Sequence, residues 1–133
     1  MLDREYSIAR TLEGVDFNTA KNRITESLQG QGFGVLTEID VQATFKKKLD
    51  KEFRPYLILG ACNPGFAFEA LSRELGVGLF MPCNVVVTLD DDGNAVIAAV
   101  DPRSMVAALG EVEGLDAAMA EVGAKITLAV ENA

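Results

Sequence analysis

The 133-residue chain has no histidine and no tryptophan, and it holds only two cysteines, four prolines and two tyrosines. Without histidine, no serine–histidine or cysteine–histidine catalytic pair can form within one chain, and the commonest general base and transition-metal ligand are gone. Positive charge is scarce too. Twelve Lys and Arg against 20 Asp and Glu leave a net charge of −8. That argues against nucleic acid or an anionic membrane as partner, because both need a basic footprint. No stretch approaches the ~20 apolar residues that span a bilayer. The N-terminal MLDREYSIAR is charged and has no apolar core with a cleavage site, so no secretion signal is expected. Two cysteines without such a signal point to reduced thiols in a cytoplasm. Phosphate loops, nucleophile elbows and dinucleotide fingerprints are missing. The glycines of GQGFG (Gly30–Gly34) follow a helix and lead into a strand, the reverse of the phosphate-binding order.

What remains is an ordinary globular composition, 49% apolar and 24% charged. It carries no linker or compositional break, so one domain over residues 1–133 is expected. EYSIARTL (Glu5–Leu12) suits a first strand. In VDFNTAKNRITESLQGQG, Phe17, Ala20, Ile24 and Leu28 recur at helical spacing, with Asp16 as N-cap and Gly30 or Gly32 as the stop. FGVLTEIDV alternates. Phe33, Val35, Ile39 and Val41 are expected on one strand face, and Glu38 and Asp40 on the other, wet face. ATFKKKLDKEF is a polar, basic interlude that suits one helical turn, and PYLILGAC is an apolar run fit for a central strand. A helix then begins at Asn63-Pro64 and stops at Gly76. VGLFM reads as a short strand. PCNVVVTL and AVIAAV form a hairpin about Asp92-Gly93. Asp101-Pro102 opens a short helix. Leu115, Met119, Val122, Ile126 and Val130 mark an amphipathic C-terminal helix. The expected order is β-α-β-β-α-β-β-α-α, an α+β fold.

Chemistry concentrates where Gly60–Val87 holds both cysteines, each followed by asparagine: Cys62-Asn63 and Cys83-Asn84. Asn63-Pro64 and Asp101-Pro102 share one explanation, since a short polar side chain caps a helix and proline presets its first φ. Cys62 lies just outside that helix start, where the dipole favours a thiolate; a buried core cysteine is the plainer alternative. Cys83 falls with Val85, Val87 and Leu89 on the expected buried face. If the two strands run antiparallel side by side, the thiols are neighbours, within reach of a disulfide or a soft metal. If they are parallel, the thiols sit at opposite ends of the sheet. Two sulfurs without histidine make a thin metal site, so neither metal nor cofactor is expected. Glu38 and Asp40 could pair as acid and base, though a wet strand face explains them. The Asp90–Asp92 run lacks the spaced ligands of a calcium loop. Lys46, Lys47, Lys48, Lys51 and Arg54 form a solvated basic loop, an anion site, or a contact with the acidic surface of a second copy.

The blocks GFGVLTEIDVQATFKKKLDKEFRPYLILGACNP (Gly32–Pro64), ALSRELGVGLFMPCNVVV (Ala70–Val87) and AVDPRSM (Ala99–Met105) resemble, in this order, the bacterial and archaeal family called domain of unknown function 302. GACNP and PCNVVV together are fairly specific. The resemblance brings no established activity. It implies an antiparallel sheet with helices, akin to the TATA-binding-protein-like architecture, assembled as a homodimer. The family's motif blocks fall on Glu38, Asp40, Lys47, Tyr56, Cys62, Asn63, Pro64, Pro82, Cys83, Asn84 and Asp101.

Two functions fit. One is a homodimeric module that binds or senses a small molecule near the Cys-Asn pairs, with Cys62, Asn63, Cys83, Asn84, Glu38, Asp40, Lys47 and Asp101 as candidate contacts; with no catalytic motif in the chain, this is the favoured reading. The other is a thiol-dependent redox enzyme or transferase, with Cys62 as nucleophile and Cys83 as resolving thiol.

Overall fold

In the computed structural model, which describes residues 1–133, five strands form one antiparallel sheet in the order β1-β5-β4-β3-β2. The strands are β1 (Ser7–Leu12), β2 (Gly34–Asp40), β3 (Tyr56–Cys62), β4 (Cys83–Leu89) and β5 (Ala95–Val100). The helices are α1 (Phe17–Gly30), α2 (Val41–Leu49), α3 (Pro64–Arg73), α4 (Val106–Leu109) and α5 (Leu115–Glu131), with 3₁₀ turns at Leu75–Phe80 and Pro102–Met105. The α+β class and the antiparallel sheet are as expected. The order carries one more helix, α2, between β2 and β3.

Helix α1 begins where Asp16 accepts the Thr19 N–H at 2.7 Å, and it buries Ala20, Ile24 and Leu28. Helix α5 buries the stripe Leu115, Met119, Val122, Ile126 and Val130. Both pack on one face of the sheet against Leu57, Leu59, Ala61, Val85, Val87 and Ile97. Each such large side chain contributes about 1.5–3 kcal/mol relative to exposure. Arg10 ties the end of α5 down. One Nη donates to the carbonyls of Glu131 at 2.7 Å and Ala133 at 2.8 Å, putting a cation on the negative end of the helix dipole.

Two local expectations fail for identifiable reasons. Residues 41–49 form more than one turn: Asp40 caps the Ala43 N–H at 2.9 Å, Lys46, Lys47 and Lys48 complement the last turn, and Asp50 closes it in the left-handed region at φ 51°. VGLFM is not a strand. Gly76 precedes it and Gly78 interrupts it, the Glu74 carboxylate accepts from the Gly76 N–H at 3.0 Å, and Leu75–Phe80 coils as 3₁₀ turn.

The largest departure is in β2. The β2–β3 ladder slips between Val35 and Thr37. A bulge inverts the alternation beyond it. Glu38 therefore pairs with core-facing Leu59 and lies on the helix side, where the Lys21 ammonium meets it at 2.6 Å. Ile39 pairs with Ile58, on the face away from the helices, and is 50% exposed. The expected sharing of one face by Val35 and Ile39 does not hold; Glu38 and Asp40 do share a face, and Glu38 stays solvent-exposed at the sheet edge although that face is the helix side.

Candidate functional site

The ladder settles how the two cysteines lie. β3 and β4 are antiparallel neighbours, and Cys83 pairs with Ala61. Ala61 belongs to the core under the helices, and Cys83 packs against it. Cys62 is one residue further on, opposite Gly34 of β2, so alternation sends it to the other face. The thiols lie diagonally across the β3–β4 ladder but belong to opposite sides of the sheet, and both are free. Burial, and secondarily the nearby Cys62, push the Cys83 thiol up to about 11. At neutral pH it is a thiol, poorly suited to act as a resolving nucleophile.

The other sequence candidates are dispersed. Asn63 is the N-cap of α3, accepting from the Phe66 N–H at 3.2 Å, and it borders a polar cleft of about 330 Å³ with Glu69, Glu121 and Lys125. Asp40 caps α2, Glu38 pairs with Lys21, and Lys47 is exposed on the last turn of α2. Asp101 caps the 3₁₀ turn and grips Arg103 through both oxygens, at 2.8 and 3.0 Å. Burial works to raise its carboxyl, but the hydrogen bonds and charge of Arg103 outweigh this and hold it below the ordinary value. No group of three or more His, Cys, Asp or Glu side chains comes together to hold a metal ion.

Asn84 is placed differently. It stands on the sheet face away from α1 and α5, beside a hollow of about 450 Å³. The floor follows from the register. Ile39 pairs with Ile58, Ile58 with Val86, Val86 with Ala98, and Ala98 with Ala9. One row of the open face is thus apolar across all five strands. Val86, Ala98 and Val100 form the floor of the hollow, Tyr6 and Tyr56 its aromatic sides, and Arg4 its rim. Tyr56 continues into an aromatic group with Phe53 at 6.1 Å between ring centroids, and Phe53 meets Phe45 edge-on at 5.2 Å. A second close fit lies one row away: a Cβ on Gly60 would meet Pro82 Cγ at 2.8 Å and also Thr37 Oγ1, so only glycine lets these groups close over β3.

Arg4, Tyr6, Val86 and Ala98 escaped the sequence reading. The signal that could have found them is the lack of alternation in CNVVVTL and AVIAAV. Strands covered on one side only should alternate; these do not, because their second face is apolar as well.

A five-stranded antiparallel sheet with its main helices on one face and an apolar hollow on the other defines a small α+β protein. The sequence matches the family described as "Domain of unknown function DUF302" over residues 8–133, and the chain belongs to that family. It is also similar to a solved structure, the crystal structure of an uncharacterized conserved DUF302 protein from Bacillus stearothermophilus. The two share 27% identity at a TM-score of 0.88, covering 97% of this chain and 98% of that one. No curated protein matches the chain.

Proposed function

We propose that the protein is a homodimeric binding module whose small-molecule ligand lies against the open sheet face, with Asn84 at its edge. The observation that carries this reading is the apolar row Ile39–Ile58–Val86–Ala98–Ala9, beside a hollow of about 450 Å³. Its volume falls within the range of small-molecule sites, and such sites pair an apolar floor with a few polar groups. The Asn84 amide makes no hydrogen bond within the chain and is free to take a ligand's polar atom. Of the two Cys-Asn motifs, this reading uses the second asparagine rather than the thiols.

The chain lacks tryptophan, and both of its tyrosines line the hollow. Intrinsic fluorescence therefore comes from Tyr6 and Tyr56 alone and reports directly on occupancy. Titration with naphthalene-carboxamide, a neutral probe, is expected to change that fluorescence saturably. Val86→Glu should abolish the change and Asn84→Ala should weaken binding several-fold. Wild-type protein that shows no saturable change, or a folded Val86→Glu variant that binds as well as wild type, overturns the proposal.

For the second copy, support comes from the α3 region, where Phe68, Leu75 and Leu79 are 78%, 84% and 89% exposed. Three large apolar side chains this exposed within one short stretch suit a buried contact. A two-fold axis lets one such patch meet itself, and burial of these side chains works against the repulsion between two copies of net charge −8. Sedimentation equilibrium should give a dimer that Leu79→Asp dissociates. A wild-type monomer at tens of micromolar rejects this part.

A further inference from the structure

Building on that reading of the hollow, we infer that its ligand is an anion, an aromatic or alicyclic carboxylate, and that Arg4 is the residue that selects the charge. Two independent observations converge on Arg4.

The first is the state of the arginines. The chain has six, and five are committed. Arg10 and Arg23 hold carbonyls at the end of α5, Arg54 meets Asp91, Arg73 meets Glu69 and the Glu113 carbonyl, and Arg103 meets Asp101. Arg4 alone makes no hydrogen bond or ion pair through its side chain. Its backbone is fixed all the same: its N–H donates to Ser7 Oγ at 2.8 Å, and its carbonyl accepts from the Ser7 N–H at 3.1 Å. The guanidinium is therefore an unspent cation on an anchored turn.

The second is the lining of the hollow. Arg4 carries the only charged side chain there; no aspartate or glutamate lines it. Val86, Ala98 and Val100 line it from the sheet and Met1 and Leu2 from the N-terminal turn; the other polar side chains are Asn84, Ser7, whose hydroxyl is taken up by Leu2 and Arg4, and the hydroxyls of Tyr6 and Tyr56. Neither tyrosine hydroxyl has a hydrogen-bond partner within the chain. A single planar cation above an apolar floor with aromatic sides is complementary to a flat hydrocarbon body bearing one carboxylate. The guanidinium fork can donate two parallel hydrogen bonds to its oxygens. A dianion or polyphosphate would bring more charge than one arginine answers, against the negative field of the whole protein.

The test pairs two probes of the same size, naphthalene-carboxylate and naphthalene-carboxamide, each titrated against the full chain by tyrosine fluorescence. The carboxylate is expected to bind roughly tenfold tighter, the worth of a charge-assisted hydrogen bond at a partly solvated site. Arg4→Gln should erase that preference, bringing the two probes to equal affinity, Arg4→Lys should keep part of it, and added salt should reduce it. Because the Arg4 side chain makes no contact that holds the fold, Arg4→Gln should melt with the wild type. Equal binding of the two probes, or a preference that survives in Arg4→Gln, overturns the inference and leaves the binding module standing. Binding of neither probe removes both.

Discussion

Cys83 faces Ala61 directly across β3 and β4, and this single pairing places Cys62 one residue beyond, on the opposite side of the sheet. Two thiols brought to adjacent strands by the fold are thereby kept from meeting. A disulfide needs Cβ atoms about 3.8 Å apart that point toward each other, and strand alternation points these apart.

Treatment with diamide should therefore leave both thiols titratable in denaturant, and peptide mapping without reductant should find no Cys62–Cys83 bridge. An intramolecular bridge formed in the folded protein would contradict the register.

The raised Cys83 thiol makes stability depend on pH in a defined window. Burial first, and Cys62 second, lift it from 9.0 to about 11. The folded chain keeps this proton to higher pH than the unfolded chain. The contribution is complete below about 9 and is lost as pH rises toward 11, by at most about 2.7 kcal/mol. Urea titrations across that range should show wild type losing more stability than Cys83→Ala, with the difference between them closing as pH rises. Parallel curves would refute it.

Gly60 should not tolerate a methyl group. Its Cβ would run into Pro82 and Thr37, an overpacking that costs roughly 1–3 kcal/mol. Gly60→Ala is expected to lower the thermal midpoint. The control is Gly30→Ala, at a position where a Cβ meets nothing within 4 Å and where helix propensity favours alanine; it should match or exceed the wild type.

Arg10→Gln should loosen the end of α5. Hydrogen bonds to a charged group are worth about 1.5–3 kcal/mol, and Arg10 makes two short ones to carbonyls there. Hydrogen exchange should speed up in the last turn of α5 ahead of its middle. Uniform acceleration along the helix would mean that Arg10 acts on global stability instead.

Much of this was open to reading from local grammar. Asp16, Asn63 and Asp101 each cap the element that follows, as short polar side chains before helical stretches do. Spacing alone picked out the α5 stripe, and Cys83 shares the core face with Val85 and Val87 as alternation implied. The misreadings were of another kind. A bulge is a property of two paired strands, so nothing within GVLTEID announces that Glu38 and Ile39 will trade faces; only its pairing with β3 does. The hollow is assembled from the N-terminal turn and four strands scattered between residues 1 and 100. Its polar members stand far apart in the sequence with no fixed spacing, so no motif search would join them. The cysteines drew notice because they are few, yet the nearby free groups are an arginine, an asparagine and two tyrosines.

The irregular step between Val35 and Thr37 has one more effect. β2 is an outermost strand, and it carries Leu36 and Ile39 at 69% and 50% exposure. A flat strand of that makeup would recruit a neighbouring chain to its unpaired backbone and seed fibrillar stacking. The kink throws part of its free amide row out of step, so an incoming strand finds no continuous template. The same step that turns Ile39 toward the open face of the sheet thus interrupts this border.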